Sequence, residues 1–382
     1  MRITFLVDNL PHPTLPLLTE HGLSMYIDQI TPNSSLLTPN SILCDMGASG
    51  AFMKNAQALG VDLEACHLAF LSHAHADHTG GLGKWIAQHG HIPVYASHHL
   101  PTLQCYSSRP KRVEGQRSKV ESQYKVSAEA SLLDYAEPQP DFMSEANKVE
   151  SPRFNDSAIQ HSQSELRYIG HDLNLFYGHT PWFKPIEQNT WISPGIALVH
   201  PTCNLYPKPL GNQYLTVVAS RKSKVESQCK VSAEASLLDY AEPQPDFMSE
   251  ANKVESQRFN DSAIQPERSE VDPFLHEIAL CFVTPKGLVI VSCCSHHGAL
   301  NTIASCMEFT SCDTLHAYIG GLHFVDSEEV IKETTDFINE WLRLYPNAHL
   351  YTGHCTCPQA AALLKAHLTH CHTFYTGKVV EV

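Results

Sequence analysis

The nine residues 72–80, Ser-His-Ala-His-Ala-Asp-His-Thr-Gly, decide the fold of this chain. They follow the apolar run Leu68-Ala69-Phe70-Leu71, which is typical of a buried strand, and they precede a glycine-containing turn into a helix. His73 and His75 alternate, so in an extended backbone both side chains point to the same side. Asp77 and His78 can then turn toward a second centre. Imidazole and carboxylate groups suit zinc, iron or manganese, and this one loop therefore predicts two neighbouring metal ions.

Not every histidine in the chain has this meaning. The sequence contains 24 histidines, and His-rich stretches are often incidental. We interpret His98-His99 and the group His367, His370 and His372 in that way. A solvated loop, by contrast, gives no reason for four metal-type ligands at the spacing of residues 73–78.

Composition limits the class of protein. The 382 residues are 43% apolar, which is enough for a sizeable core in one elaborate α/β domain or in two domains. A formal net charge of −14 disfavours a nucleic-acid partner. The N-terminus lacks the pattern of a signal peptide, and no apolar run approaches the roughly 20 residues that span a bilayer. The 13 cysteines contain no CxxC pair, so we expect free thiols in a cytoplasmic protein without a membrane partner.

Residues 118–160 and 223–265 are near copies that differ only at Tyr124 versus Cys229 and at Pro152 versus Gln257. An array of stacking repeats would be contiguous, with at least about three units. These two separated copies instead indicate an inserted element within a single domain over residues 1–382. Each copy has four basic and eight acidic residues and little apolar surface, so we expect exposed, mobile segments. The alternative is a paired docking motif for a partner.

Four further strand ends carry similar side chains. A short apolar strand ends at Asp45, and the buried strand over residues 287–292 runs on to His296. Two later apolar segments end near His323 and His354. Each histidine alone is most easily explained as a hydrogen-bonded core residue, and Asp45 as an ordinary turn acid. Together, in one order along the chain, they are hard to attribute to chance. We therefore expect one site, with His296 completing a first metal set with His73 and His75, and Asp45 orienting a ligand histidine.

These stretches resemble the metallo-β-lactamase-fold superfamily, and within it the branch named for 7,8-dihydropterin-6-methyl-4-(β-D-ribofuranosyl)aminobenzene-5′-phosphate synthase. The resemblance covers about residues 1–105 and 166–382, apart from the second copy. Its motifs are Val7-Asp8-Asn9, Glu20-His21-Gly22-Leu23-Ser24, Asp45-Met46-Gly47-Ala48-Ser49-Gly50, the HxHxDHTGGL run, Asp272-Pro273-Phe274, Cys294-Ser295-His296, Gly320-Gly321-Leu322-His323 and Thr352-Gly353-His354-Cys355-Thr356.

The resemblance implies an α/β fold of the αββα type, with two mixed sheets, helices on the outer faces and a dinuclear site at the sheet edge. It also implies two divalent ions, zinc being expected and manganese or iron the alternatives. By motif position, six side chains would hold them in two sets: His73, His75 and His296, and Asp77, His78 and His354.

Two departures from the family pattern concern the same site. Superfamily enzymes usually place a bridging aspartate where this chain has Gly320–His323, and the nearest carboxylate here is Asp326. His323 is then a metal ligand or a substrate-facing residue, and looser occupancy or a preference for a metal other than zinc would follow. Cys293 and Cys357 stand where the branch tends to have glycine. Their thiols are metal ligands or oxidation sites, unless they are inert buried cysteines.

Two adjacent cations lower the pKa of a shared water toward neutrality and stabilise an oxyanion. Asp77 and Asp45 are the candidate catalytic residues, Asp77 by aligning the water and Asp45 by fixing an imidazole tautomer. The resemblance therefore implies a hydrolase, or an enzyme that displaces phosphate or pyrophosphate, acting on a small phosphorylated substrate. The dihydropterin condensation that gives the branch its name is one such reaction.

Several alternatives remain open. Within enzymes they are thioester, lactone and β-lactam hydrolysis and tRNA 3′ processing, and outside them a non-catalytic metal or ligand sensor. The acidic charge argues against tRNA, and the missing bridging aspartate argues against the thioesterase and lactamase types. The complete HxHxDH set argues against a non-catalytic sensor, because a site that has lost its catalytic function need not retain all of its ligands.

Overall fold

Strands form where the sequence carries runs of β-branched and other apolar residues. In the computed structural model, which describes residues 1–28, 30, 40–109, 166–178, 180–219 and 270–382, these runs build two seven-stranded sheets and one four-stranded sheet. Both near-identical segments, residues 118–160 and 223–265, lie outside the described residues. The described residues within 1–107 and 166–382 belong to one compact unit, and a single domain over residues 1–382 stays a prediction.

The strands of the described residues are, in chain order, β1 Arg2–Val7, β2 Ser24–Asp28, β3 Ser41–Cys44, β4 Leu68–Phe70, β5 Val94–Ser97, β6 Leu103–Ser107, β7 Arg167–Tyr168, β8 Phe183–Ile186, β9 Thr190–Ser193, β10 Ile196–Val199, β11 Leu215–Ala219, β12 Glu270–Val271, β13 Ala279–Thr284, β14 Gly287–Val291, β15 Leu315–Ile319, β16 His349–Thr352, β17 Cys371–Thr373 and β18 Val379–Glu381.

Both large sheets are mixed. The first has the order β18-β1-β2-β3-β4-β5-β8, and the second has the order β17-β16-β15-β14-β13-β10-β9. In the first sheet β3, β4, β5 and β8 are parallel, and in the second β14, β15, β16 and β17 are parallel. Parallel strands direct their carboxyl ends to one edge, which is where a ligand site forms in such sheets. The small third sheet has the order β12-β11-β6-β7.

The helices lie outside the two large sheets. They are α1 Ala51–Leu59, α2 Ala76–Thr79, α3 Leu82–His89, α4 Ala299–Thr310, α5 Val330–Leu344 and α6 Pro358–His367. Helix α5 has buried residues at helical spacing, namely Val330, Phe337, Ile338 and Trp341, so one face packs on the second sheet. On the first sheet, Phe52 of α1 and Trp85 of α3 are fully buried together.

A third layer of apolar side chains fills the space between the two sheets. It contains residues of both, such as Phe5 and Ile42 from the first sheet and Val289 and Ala317 from the second. Phe5 also stacks on Phe374 with ring centroids 4.2 Å apart. Burial of each large apolar side chain contributes about 1.5–3 kcal/mol, so this layer holds the sheets together and fixes the edge between them. The predicted αββα arrangement is confirmed.

Candidate metal centre

The loop after β4 carries the HxHxDH motif to the edge of the sheets. His73 and His75 follow the strand in extended backbone, and their rings lie 4.6 Å apart at the centroids. His75 immediately precedes α2, so Asp77 and His78 occupy the first turns of that helix. The backbone changes there from extended to helical, and the His78 ring still lies 4.2 Å from the His73 ring at the centroids, so the two sets of side chains are adjacent. The structure thus places this loop beside two groups of candidate ligands.

The first group consists of His73, His75 and His296. The ring of His296, which follows β14, has its centroid 4.9 Å from each of the other two rings. All three side chains are buried, and the Nε2 atom of each has no hydrogen-bond partner. Buried polar atoms without a partner are rare in proteins. Their convergence here fits a bound metal ion, which would take up the lone pairs that the protein leaves unused.

The second group consists of Asp77, His78 and His354. The Nε2 atoms of His78 and His354 lie 3.0 Å apart, and Asp77 Oδ2 is 3.6 Å from the first and 3.4 Å from the second. Both imidazole side chains are inaccessible, whereas the Asp77 side chain is 23% exposed. The exposed rim next to it carries His21, whose Nε2 lies 3.4 Å from Asp77 Oδ2. This group therefore has an open side toward solvent, while the first group is enclosed.

Asp45 controls one histidine in each group. Its Oδ2 lies 2.7 Å from His78 Nδ1 and accepts the Ser72 hydroxyl hydrogen at 2.7 Å. The Ser72 hydroxyl has then used its hydrogen, so its oxygen accepts from His73 Nδ1, 2.8 Å away. Both histidines consequently carry hydrogen on Nδ1 and a lone pair on Nε2. Asp45 itself is fully buried and is a positioning residue for the ligands.

Two asparagines fix the remaining ligand histidines in a common way. Asn212 donates to the backbone carbonyl of His296 at 2.7 Å, while its Oδ1 lies 3.1 Å from His296 Nδ1. Asn9 donates to the carbonyl of His354 at 2.9 Å, with its Oδ1 3.3 Å from His354 Nδ1. Each amide donor fixes the orientation of the amide, so its oxygen faces Nδ1 and accepts that hydrogen. Both Nε2 atoms are left to face the site.

The ionisation states of the two groups differ. Burial lowers the pKa of His73 and His296 well below the usual range and that of His75 to about 3, so all three are neutral and able to bind metal. Burial alone would also lower the pKa of His354, but the hydrogen bond to Asp77 raises it to about 9. For Asp77, burial alone would raise the pKa, and the His78 and His354 imidazoles hold it well below its usual range.

The segment before β13 contacts both loops that carry the first group of histidines, the loop after β4 and the loop after β14. His276 Nδ1 accepts the backbone N–H of Ala74 at 3.0 Å, and its Nε2 lies 3.0 Å from Asp272 Oδ2. Glu277 accepts the backbone N–H of His296 at 2.7 Å. The ring of Phe274 stacks on that of His296 with centroids 4.3 Å apart. The motif Asp272-Pro273-Phe274 is therefore part of the support of the site, a role that could not be predicted from the sequence pattern.

The strand end after β15 brings in His323. Its ring centroid lies 4.3 Å from that of His296, and both of its ring nitrogens are buried without a partner. The ligand atoms of His323, Cys294 and Cys355 lie within 4.8 Å of one another. His323 is thus beside the first group, as a candidate ligand rather than a distant core residue. Of the two cysteines noted from the family pattern, Cys293 contacts Cys44 in the core, at an Sγ–Sγ distance of 3.6 Å, and Cys357 is half-buried.

Sequence reasoning missed several residues of the site. The amide of Asn212 and the thiols of Cys294 and Cys355 received no role, although both cysteines stand within motifs that resemble the family. Asn9 and His21 likewise lie in such motifs, and that position was the signal that could have found them. No comparable signal marks Asn212, because its partner His296 is 84 positions away.

Comparison with known proteins agrees with this geometry. A family model of the metallo-beta-lactamase superfamily matches residues 33–118. The curated 7,8-dihydropterin-6-methyl-4-(beta-D-ribofuranosyl)-aminobenzene-5'-phosphate synthase of Methanocaldococcus jannaschii is 36% identical over 90 residues, which are 23% of this chain. The match spans only 29% of that relative.

Structural comparison extends over the whole chain. The crystal structure of Tm1679, a metal-dependent hydrolase of the beta-lactamase superfamily, aligns with a TM-score of 0.58 at 21% identity, covering 100% of this chain and 99% of that one. Among the described residues, no helix has both the length and the apolar character needed to cross a membrane. The partial sequence matches and the full-length structural alignment confirm the resemblance predicted from the sequence, and the chain has the fold of the metallo-β-lactamase superfamily.

Proposed function

We propose that the chain is a metal-dependent hydrolase, or an enzyme that displaces phosphate or pyrophosphate, with two divalent ions bound at the sheet edge. The observation that carries this proposal is the convergence of His73, His75 and His296 through buried Nε2 atoms that have no protein partner. The second group, Asp77, His78 and His354, lies on the open side of the same edge. Zinc is the expected metal, because imidazole-rich sets with few carboxylates suit it.

Ions held in this way would supply an activated water near neutral pH and would polarise an electrophilic carbonyl or phosphoryl group. The protein supplies the orientation of the groups. Asp45 keeps the lone pairs of His73 and His78 directed into the site, and the amides of Asn212 and Asn9 do the same for His296 and His354. Because these side chains are fixed before any ligand binds, the site needs little reorganisation.

Asp77 and His21 form the solvent-facing part of the site. Asp77 is ionised and partly exposed, so its Oδ2 can align a water, while its lowered pKa makes it a weak proton acceptor. His21 lies beside it with a side chain that is 73% exposed. Desolvation lowers the pKa of His21, so its imidazole is mainly neutral near pH 7 and can accept a proton at Nε2 on the solvent side of the site.

A small phosphorylated compound is the substrate class that we infer. The support is the local similarity around the HxHxDH motif to a synthase whose name describes a phosphorylated product. The net charge of −14 fits a small substrate better than a nucleic acid. Activity on the dihydropterin compound itself is a narrower form of the same proposal.

Metal analysis and a substrate screen test this proposal together. The purified chain, supplied with zinc, manganese or iron, is assayed on phosphodiester, pyrophosphate, thioester and lactone substrates. We expect about two ions per chain and preferential turnover of the phosphorylated compounds. His75→Ala and Asp77→Ala are expected to lower both metal content and turnover, whereas the exposed surface histidine variant His367→Ala retains both. Unchanged metal content and activity in the two site variants would refute the proposal.

A further inference from the structure

Cys294 lies between the two groups of ligands. Its side chain is buried, and its Sγ is 3.1 Å from His78 Nε2. The same sulfur lies within 4.8 Å of ligand nitrogens of His73 and His296, and within 4.8 Å of ligand nitrogens of His78 and His354. One sulfur atom therefore reaches members of both groups.

The strand end after β15, by contrast, offers no carboxylate to join the groups. Residues 320–323 are Gly-Gly-Leu-His. A Cβ atom on Gly321 would lie 2.3 Å from Cys355 Sγ and 3.0 Å from the carbonyl oxygen of Cys293, so this backbone is packed against cysteine residues. His323, which is 7% exposed, has two ring nitrogens without a partner in the same cluster. Thiol and imidazole groups thus occupy the space in which an acid would have to stand.

We propose that the Cys294 thiolate is shared by the ions of both groups and replaces the bridging carboxylate that this chain lacks. The inference rests on the proposed metal-dependent function, because it requires an ion in each group. A thiolate sulfur has more than one lone pair, so a single sulfur can bond to two ions. It is also a strong ligand for zinc, cobalt and cadmium and a poor one for magnesium or calcium.

The binding step involves no oxidation. The Cys294 S–H bond breaks, its proton passes to solvent, and the sulfur lone pairs form bonds to the incoming ions. The two other thiols nearby, Cys355 and Cys357, provide matched comparisons for the sulfur of Cys294.

Cobalt absorption tests the proposal on the full chain under a phosphine reductant that keeps thiols reduced. We expect the wild type to bind about two cobalt ions and to show a thiolate-to-cobalt charge-transfer band in the near ultraviolet. Cys294→Ser should lose this band and bind about one ion, while Cys357→Ser should keep both. A band that persists in Cys294→Ser, or that is lost only in Cys355→Ser, would overturn the proposal. A wild type that binds no cobalt would overturn the proposed function as well.

A second measurement needs no variant and separates a shared thiolate from a terminal one. Cadmium-113 resonances move far downfield when sulfur coordinates the ion. If Cys294 is shared, the wild type loaded with cadmium shows two resonances, both at sulfur-shifted positions. A single sulfur-shifted resonance beside a nitrogen- and oxygen-type resonance would overturn sharing. Two unshifted resonances would exclude thiolate binding but leave the proposed metal centre intact.

Discussion

Replacement of Asp45 by asparagine tests how the ligands are held. The carboxylate is fully buried and accepts three hydrogen bonds, from the backbone N–H of Ser72, the Ser72 hydroxyl and His78 Nδ1, each at 2.7 Å. Asparagine has nearly the same shape but only one acceptor oxygen. In either orientation its NH₂ group faces donors, either at the backbone N–H or at the hydroxyl and the imidazole. The substitution therefore conserves volume and removes acceptors.

The consequence falls on His78. In the orientation that places the NH₂ group opposite it, His78 Nδ1 becomes the acceptor and the ring hydrogen moves to Nε2, which faces the second group. In the other orientation the amide oxygen still accepts from His78 Nδ1, and the NH₂ group faces the backbone N–H of Ser72, so the cost falls on the stability of the metal-free chain. A nitrogen that carries hydrogen cannot bind an ion, so the tautomer must be reversed at a cost when the ion binds. Changes to such supporting residues typically lower metal affinity by about 10–100-fold, which corresponds to about 1.4–2.7 kcal/mol. The unmatched buried donor destabilises the metal-free chain by a further ~1–3 kcal/mol.

Competition with a chromogenic chelator measures the zinc affinity of wild type and Asp45→Asn, and denaturant unfolding in excess chelator measures the stability of the metal-free forms. Nitrogen-15 shifts of the imidazoles report the tautomer directly. Asp62→Asn is the matched control, because that carboxylate is exposed and accepts only a local backbone N–H at 3.0 Å from Glu64. An Asp45→Asn chain with the zinc affinity, the His78 tautomer and the metal-free stability of wild type would refute the argument.

Two further outcomes follow from the ionisation of the site and from the sequence duplication. The pKa of His354 is raised from 6.5 to about 9 in the folded metal-free chain, so its contribution to stability is fully present below pH 6.5 and is lost as the pH rises to about 9. Zinc affinity should rise over that same window, because the His354 proton that zinc must displace is lost more readily as the pH rises. Thermal unfolding measures the stability, and proton release in calorimetry measures zinc binding. If stability and zinc affinity changed in the same direction with pH, the prediction would be wrong. Deletion of residues 118–160 and 223–265 should leave zinc content and turnover unchanged, and loss of either in a folded deletion variant would contradict the interpretation of these segments as inserts.

Much of the site could be predicted from local sequence patterns. Alternation after a buried strand was enough to place His73 and His75 side by side, because strand geometry fixes the direction of every second side chain. The strand-end position of Asp45 was enough to suggest that it orients a histidine. Both inferences depend on residues within a few positions of a recognisable strand, where backbone geometry alone determines the neighbours.

Pairings across the fold could not be predicted in this way. Asn9 and His354 are 345 positions apart, and they meet only because β1 and β16 end at the same edge of the two sheets. The side-chain direction of Cys294 could not be predicted either, for a different reason. Ser295 has a φ of +58°, so the backbone between Cys294 and His296 is not extended and alternation does not apply there. A pattern of two-residue spacing gave no information at the point where the chain departs from the strand.

Non-glycine residues with positive φ angles are concentrated at the site. This concentration implies that the ligands are arranged before any ion binds. Positive φ angles occur at Asp45, Phe274, Ser295, His323 and His354, and conformations of this kind cost about 1–3 kcal/mol each. The protein's own hydrogen bonds hold them: Ser295 Oγ donates to the Gly321 carbonyl at 2.5 Å, and Asp8 accepts the backbone N–H of His354 at 3.0 Å. Because the support consists of hydrogen bonds within the protein, removal of bound ions should leave the fold intact and the histidines in place. The strained backbone then fixes the direction of the ligand lone pairs. A flexible loop of the same sequence would have to become ordered around the ion to do the same.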